Sequence, residues 1–452
     1  MFSQKNKITV NKSIESSEFK YKWRFRLFKI NDKRIAKKSN YIGFFLLYFA
    51  LSVIRIYLVI YLPVFLLNIL FIDRSQLAFI QIFVYLVMFS GPILGYLFDR
   101  YSKNKKLIIF SSSILFLASF LLSMFGGRNL GVFGLFLAMN LLTQEIIKVG
   151  ISKMIIDNSG NEGVKDSNLA AINISSNVGS FIPSIVFLFT VSDIFNVNQW
   201  NVFFFIGLLS SIPIIFATIL LRETANRPEK SSEHCENDIS ISLGGNNTLN
   251  LILLFLSYLL IWSDKLYQFP FSAWILTRFG EEGFNMYSLL YIVLILLNIG
   301  GWIIGQRISN KENISKPDSK DDNQDSISYA LKLSNRKKII SITVGLYAVL
   351  TFLMAFSDFL FLMVIQGIIQ VIAGVMMLNY TSLMMTISNN GKYKTFTFQC
   401  LKMSYALSCV IFIPIGTYFS AFIQIETLFI TVGFLAMFSL IPLKLMRIKS
   451  NN

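Results

Sequence analysis

Gly91-Pro92-Ile93-Leu94-Gly95-Tyr96-Leu97-Phe98-Asp99-Arg100-Tyr101-Ser102-Lys103-Asn104-Lys105-Lys106 joins an apolar run to a basic loop. The run upstream, residues 76–98, is long enough for a membrane helix, which needs about 20 mainly apolar residues. Gly91 and Gly95, four residues apart, let a second helix approach closely. The lysines and arginine that follow are the charges that stay on the cytosolic side of a bilayer. The pattern returns 210 residues later as Gly301 and Gly305, followed by Arg307-Ile308-Ser309-Asn310-Lys311. Pro63 finds its echo in Pro270. The chain is therefore read as two related halves.

Working outward, twelve apolar stretches are expected to be membrane helices. The first six run over 41–67, 76–98, 107–126, 130–156, 167–191 and 200–221. The second six run over 248–276, 284–306, 339–357, 359–386, 395–421 and 426–444. Helices are the default because lipid offers no partner to an unpaired backbone group. A barrel would need alternating segments of about 10 residues, and these runs are longer and continuously apolar. The expected fold is an all-α polytopic membrane protein of two pseudo-symmetric six-helix bundles, 41–222 and 248–444. A basic cytosolic tail, 1–40, precedes them, a polar central loop, 223–247, separates them, and a short tail, 445–452, ends the chain. The stretch 309–338, rich in Asp, Lys, Ser and Asn, is expected to be a flexible cytosolic loop.

Composition agrees. Of 452 residues 54% are hydrophobic and only 15% charged, against about 25% charged in soluble domains. Mean hydropathy is +0.59. The net charge of +16 could suggest nucleic acid, but its distribution argues for topology instead. With both termini inside, 34 of the 41 Lys and Arg fall on the cytosolic side, and only Arg74, Arg128 and Arg278 on the other. No nucleic-acid partner is needed to explain the charge; the lipid bilayer is the expected partner. With no targeting signal in view, the cell membrane is the default location. Cys235, Cys400 and Cys409 make no disulfide framework, and His234 alone makes no metal site or histidine relay. No cofactor or metal is expected. The lack of a Gly-Lys-Ser/Thr loop rules out a pump with its own nucleotide site.

The segment Gly95 to Lys106 resembles the loop signature of the major facilitator superfamily, between its second and third spans: a Gly, an apolar pair, Asp-Arg, then a basic cluster. Ser102 stands where that family usually has a Gly. Gly305 to Lys311 resembles the degenerate second copy. The resemblance covers about residues 41–444 as architecture and identifies no subfamily. It implies alternating access, with Gly95, Asp99, Arg100 and Gly305 serving gating at the cytosolic face. Gly179-Ser180-Phe181-Ile182-Pro183 matches the family's antiporter signature only in part, which gives no support for a drug/proton antiporter.

Charges within spans cost about 2.5–3.5 kcal/mol each on insertion scales, so they face a partner or a cavity. Arg55, Glu145, Lys148, Asp264, Lys265 and Lys402 are such residues. In the fold the resemblance implies, spans one, four, seven and ten line a central cavity, and five of these six lie on three of those spans. Arg55 and one or both of Lys148 and Lys265 are expected to bind an anionic substrate group, while Glu145 or Asp264 balances charge or carries a proton. Gln366 and Gln370, one turn apart on the tenth span, are expected to hydrogen-bond the same solute. Lys402, two turns into its span, is expected to reach back to the cytosol. The polar stripe Asn173, Ser176, Asn177, Ser180 and Ser184 is expected to join helices.

The expected function is secondary transport of a small polar, anionic molecule by a monomer, with H+ as a candidate coupling ion. Two alternatives stay open: a proton-coupled exporter of cationic or amphipathic compounds, and a transport-inactive receptor on the same fold. An enzyme is not expected, since the chain offers isolated acids and one loop histidine.

Overall fold

The computed structural model describes residues 33–56, 62–69, 71–101, 105–125, 129–158, 162–190, 205, 208, 209, 211–221, 247–314, 322–388 and 393–446. His234, Cys235 and the central loop 223–247, up to Asn247, lie outside them, as does most of the basic tail 1–40. Every regular element among the described residues is helical.

The helices are α1 (Lys33–Ile56), α2 (Arg74–Arg100, with a 3-10 turn at Val87–Ser90), α3 (Lys105–Phe125), α4 (Leu130–Asn158), α5 (Glu162–Thr190) and α6 (Pro213–Leu220). Then follow α7 (Asn247–Ile261), α8 (Lys265–Ile314), α9 (Asp322–Met354), α10 (Phe359–Ser388), α11 (Lys394–Phe419), α12 (Ile425–Phe438) and α13 (Leu440–Leu445). Eight helical stretches among the described residues are long and apolar enough to cross a membrane. One of them, Thr248–Ser309, takes in two of the expected spans. Gly280 divides it: its φ of 71° and ψ of −171° are open to glycine and to almost no other residue. Nothing lies within 4 Å of the Cβ that another residue would add there, so backbone strain alone sets the cost of replacement. Gly280→Ala is expected to lower stability by about 1 kcal/mol or more, read as a fall in the detergent melting temperature.

Two polar segments are more helical than composition suggests. The stretch 309–338 is not one loop: α8 runs on to Ile314 and α9 starts at Asp322. Asp322 and Asp325 stand in the first turn of α9, where the helix dipole favours negative charge. Likewise α1 begins at Lys33, inside the segment read as tail.

Lipid gives apolar side chains no reason to leave it, so helix contacts rest on close packing and on polar groups that satisfy one another. α1 shows both. Phe44, Leu47, Ala50 and Leu51 are buried at helical spacing on the side facing α5 and α6. Ser52 shares a 2.6 Å hydrogen bond with Ser176, and Ser180 donates to the Ser52 carbonyl at 3.2 Å. The α5 stripe thus serves as glue at Ser176 and Ser180, while the Ser184 side chain lies outside the described residues. Elsewhere apolar groups remain outside the core: Leu360, Phe361, Val364 and Ile368 form an exposed stripe on α10. Such a stripe is a liability in water and ordinary against acyl chains. The protein is a multi-pass membrane protein.

α2 packs along α11, and α5 against α8 and α10, so helices from before and after the central loop interlock. At the end where α2, α4, α8 and α10 finish, two contacts join them. Asp99 accepts the Phe396 N–H of α11 at 3.0 Å and pairs with Lys153 at 2.9 Å. Asp166 on α5 pairs with Arg336 on α9 at 2.7 Å and accepts from Ser309 on α8 and Ser382 on α10, each at 2.5 Å. At the opposite end Arg74 donates to Ser420, and Asn68 to Thr277 at 3.4 Å.

Candidate functional site

A cavity of about 350 Å³ lies between these two sets of contacts. Glu145, Lys148, Asp264, Lys265, Gln366 and Gln370 all border it. α4 brings Glu145 and Lys148 to one face by their i,i+3 spacing, and their charged ends lie 3.5 Å apart. Asp264 and Lys265 sit where helical structure changes. The 3-10 turn Trp262–Asp264 interrupts the rod between α7 and α8, and a 3-10 stretch inside a helix often marks a functional hinge. The turn sets Asp264 3.8 Å from Lys265. The Lys265 ammonium also donates to Gln268 and lies 4.8 Å above the Trp262 ring and 5.7 Å above that of Tyr405.

The two glutamines behave differently. Gln370 is held in a network: Asn298 donates to its side-chain and main-chain oxygens at 3.1 and 2.9 Å, and itself accepts from Asn177 at 2.8 Å and Trp302 at 3.1 Å. That network ties α5, α8 and α10 together. Gln366 is buried; its amide approaches the Met354 sulfur, a weak acceptor, at 3.4 Å, and its side chain also hydrogen-bonds Tyr267.

Arg55 belongs to α1 by its backbone, while its side chain lies outside the described residues. Lys402, expected to reach back to the cytosol, instead borders the cavity with its ammonium 5.5 Å above the Phe398 ring. The ionisable lining among the described residues is therefore three lysines and two carboxylates. Asn298 was not singled out in the sequence, although an amide inside the run Leu289–Ile299 was the available signal.

The residues expected to gate lie at one end of the cavity. Gly95 packs against α11, where an added Cβ would stand 3.1 Å from Phe396 Cα and from the Thr395 carbonyl oxygen. Asp99 reaches α11 as described. Arg100 stays on its own segment, exposed, donating to the Tyr96 hydroxyl at 3.2 Å and lying 5.6 Å from the Tyr101 ring. The contact to α11 passes instead through Tyr96, whose ring lies 5.4 Å from that of Tyr393. Gly305 meets α10, at Val375 and Leu378, so the two glycine pairs match in sequence and differ in what they touch.

No family model matches the chain, and no curated protein does. Solved structures do. The crystal structure of the human organic anion transporter MFSD10 (TETRAN) aligns with a TM-score of 0.64 at 12% identity, over 92% of this chain and 100% of that one. The nucleoside transporter NupG aligns at 0.57 and 13% identity, over 90% and 97% of the two chains. Likeness at such low identity shows the fold alone: this chain shares the fold of these two transporters.

Proposed function

We propose that the protein is a secondary transporter in which two six-helix bundles, 41–222 and 248–444, rock about a midplane site and carry a small polar anion across a cell membrane. The observation that carries this reading is the cavity bordered by three lysines and two carboxylates, with helices from before and after the central loop contributing to it. Ionisable groups this deep are tolerated where a solute path or a partner needs them. The fold neighbour named as an organic anion transporter supports the anionic reading. Export of cations is less well supported, because each carboxylate already has a lysine beside it. In this reading Arg55, Lys148 and Lys265 attract the anion, Gln366 and Gln370 orient it, and Glu145 or Asp264 carries a coupling proton. Both termini face the cytosol, and the protein works as a monomer without a cofactor or enzymatic step.

The test is thermal unfolding of the full chain in detergent against organic anions, sugar phosphates, neutral sugars and amphipathic cations. A ligand that binds only the folded state raises the midpoint in proportion to the logarithm of its concentration. Anions are expected to raise it, and Arg55→Ala to reduce that rise. A shift by cations alone would overturn the anion assignment.

A further inference from the structure

The cavity has two chemically different walls. α4 and α5 supply carboxylate, ammonium, hydroxyl and amide groups through Glu145, Lys148, Ser152, Asn173, Ser176 and Asn177. The wall built from residues after the central loop supplies ten aromatic side chains, among them Tyr258, Trp262, Tyr287, Tyr291, Tyr347 and Tyr405. From the earlier helices only Tyr48 adds another among the described lining residues. That wall also carries polar and charged groups, among them Asp264, Lys265, Gln268, Gln366 and Lys402, but a solute made of hydroxyls and charge alone would leave its ten rings without a partner.

The charges are divided as unevenly. Glu145 serves Lys148 and Asp264 serves Lys265. Lys402 is the third ammonium, and among the described residues no carboxylate comes within ion-pairing distance, 4 Å, of it. It stands where the walls meet, over the Phe398 ring and within electrostatic range of both Glu145 and Lys148. One carboxylate there faces two ammonium groups. An extra buried charge without a counter-ion is costly, and a ligand that brings the missing negative charge relieves that cost.

Resting on the transporter reading above, we propose that Lys402 receives a negative charge of the substrate and that the substrate is a ring-bearing organic anion, its flat apolar body held against the aromatic wall. The single surplus cation among the described lining residues calls for at least one negative charge on the substrate. The aromatic faces set the shape, since rings pack favourably in offset or edge-on arrangements. The cavity volume of about 350 Å³ falls within the range of small-molecule sites.

The experiment uses the full-length protein in lipid nanodiscs and isothermal titration calorimetry with three probes. These are 2-naphthoate, its neutral amide 2-naphthamide, and gluconate, which has the charge without the ring. Naphthoate is expected to bind more tightly than either of the others. Lys402→Met is expected to weaken naphthoate by about tenfold or more while leaving the amide unchanged, and Lys402→Arg to keep naphthoate binding. A structural role for Lys402 would weaken both ring compounds together. Unliganded melting curves show whether each variant folds, and Lys402→Gln carries the test if Lys402→Met does not. Gluconate binding as tightly as naphthoate would overturn the proposed substrate class. Undiminished naphthoate binding by the neutral Lys402 variants would overturn the role of Lys402, and Arg55→Met then shows whether the anion uses that residue; in either case the transporter reading stands. Failure of every anion, gluconate included, would overturn both.

Discussion

Asp166→Asn is expected to be among the most damaging single substitutions in the chain. The Asp166 side chain is 0% exposed and that of Arg336 3%. Removing one member of a buried pair leaves the other charged with no partner, which costs about 3–5 kcal/mol where it has been measured. Asp166 also accepts from Ser309 and Ser382, so one carboxylate holds α5 to α8, α9 and α10. Arg336→Met is expected to do similar harm. The double variant is the sharper check. If the pair itself carries the effect, the double variant should melt above either single variant, because no unpaired charge remains. Additive losses would show that the two residues act separately. Hydrogen exchange should quicken over Ser382–Ser388, at the end of α10 that the pair secures, in each single variant.

The same group predicts a pH dependence. Burial opposes ionisation of Asp166, but the Arg336 guanidinium, Lys165 and the Ser309 hydroxyl together outweigh it and hold the carboxyl below its usual range. A carboxyl lowered on folding contributes stability that is complete above its unfolded value, about 3.9, and is lost as pH falls through the folded value. The melting difference between the wild type and Asp166→Asn is therefore expected to be constant near neutrality and to shrink on acidification below about pH 4. A difference that grows with acid would contradict the pairing.

Neither partner of that bridge was legible as such in the sequence. Asp166 falls just before an apolar stretch and Arg336 in a polar segment read as loop, 170 residues apart. Hydropathy marks where chain crosses lipid, and it is silent on which polar ends meet. The cavity was more legible, because a charge inside an apolar run has few places to go. Glu145, Lys148, Asp264 and Lys265 were visible for that reason, and the structure gathers them around one space. Lys402 was visible too, but its distance from the helix end suggested escape to the cytosol, and only the packing of α11 shows that it faces inward. The pairing of Glu145 with Lys148 also follows from their i,i+3 spacing, whereas adjacent residues on a helix do not face each other and it is the 3-10 turn that brings Asp264 to Lys265. What spacing could not supply is that these pairs leave Lys402 as the surplus. The helical part of 309–338 was hidden because composition ranks polar residues as loop-forming whether or not a solvated helix carries them.

Glycine positions make the last distinction, and the largest packing effect follows from it. The conspicuous pairs, Gly91 with Gly95 and Gly301 with Gly305, were found by their repetition. Two of the tightest contacts are at glycines outside those repeated pairs. A Cβ on Gly416 would stand 2.8 Å from Leu266 Cα and nearer still to its carbonyl. One on Gly179 would stand 2.8 Å from Phe49 Cα and again nearer to the carbonyl. In both cases the obstacle is main chain, which cannot rotate away as a side-chain end can. The two sites correspond: α11 crosses the start of α8 as α5 crosses α1, and α8 meets α10 in the same way at Gly301 and Gly374, again against main chain. Gly416→Ala and Gly179→Ala are each expected to cost more than the roughly 1–3 kcal/mol usual for overpacking, because a whole helix must retreat. Loss of the monodisperse peak in detergent size-exclusion chromatography would be the readout. Gly300→Ala is the control: nothing lies within 4 Å of its Cβ position, and alanine favours helix by about 1 kcal/mol over glycine. It should be neutral or slightly stabilising. If all three variants behave alike, helical propensity and not the closeness of the crossings governs these sites, and the packing argument for α5 on α1 and α11 on α8 is wrong.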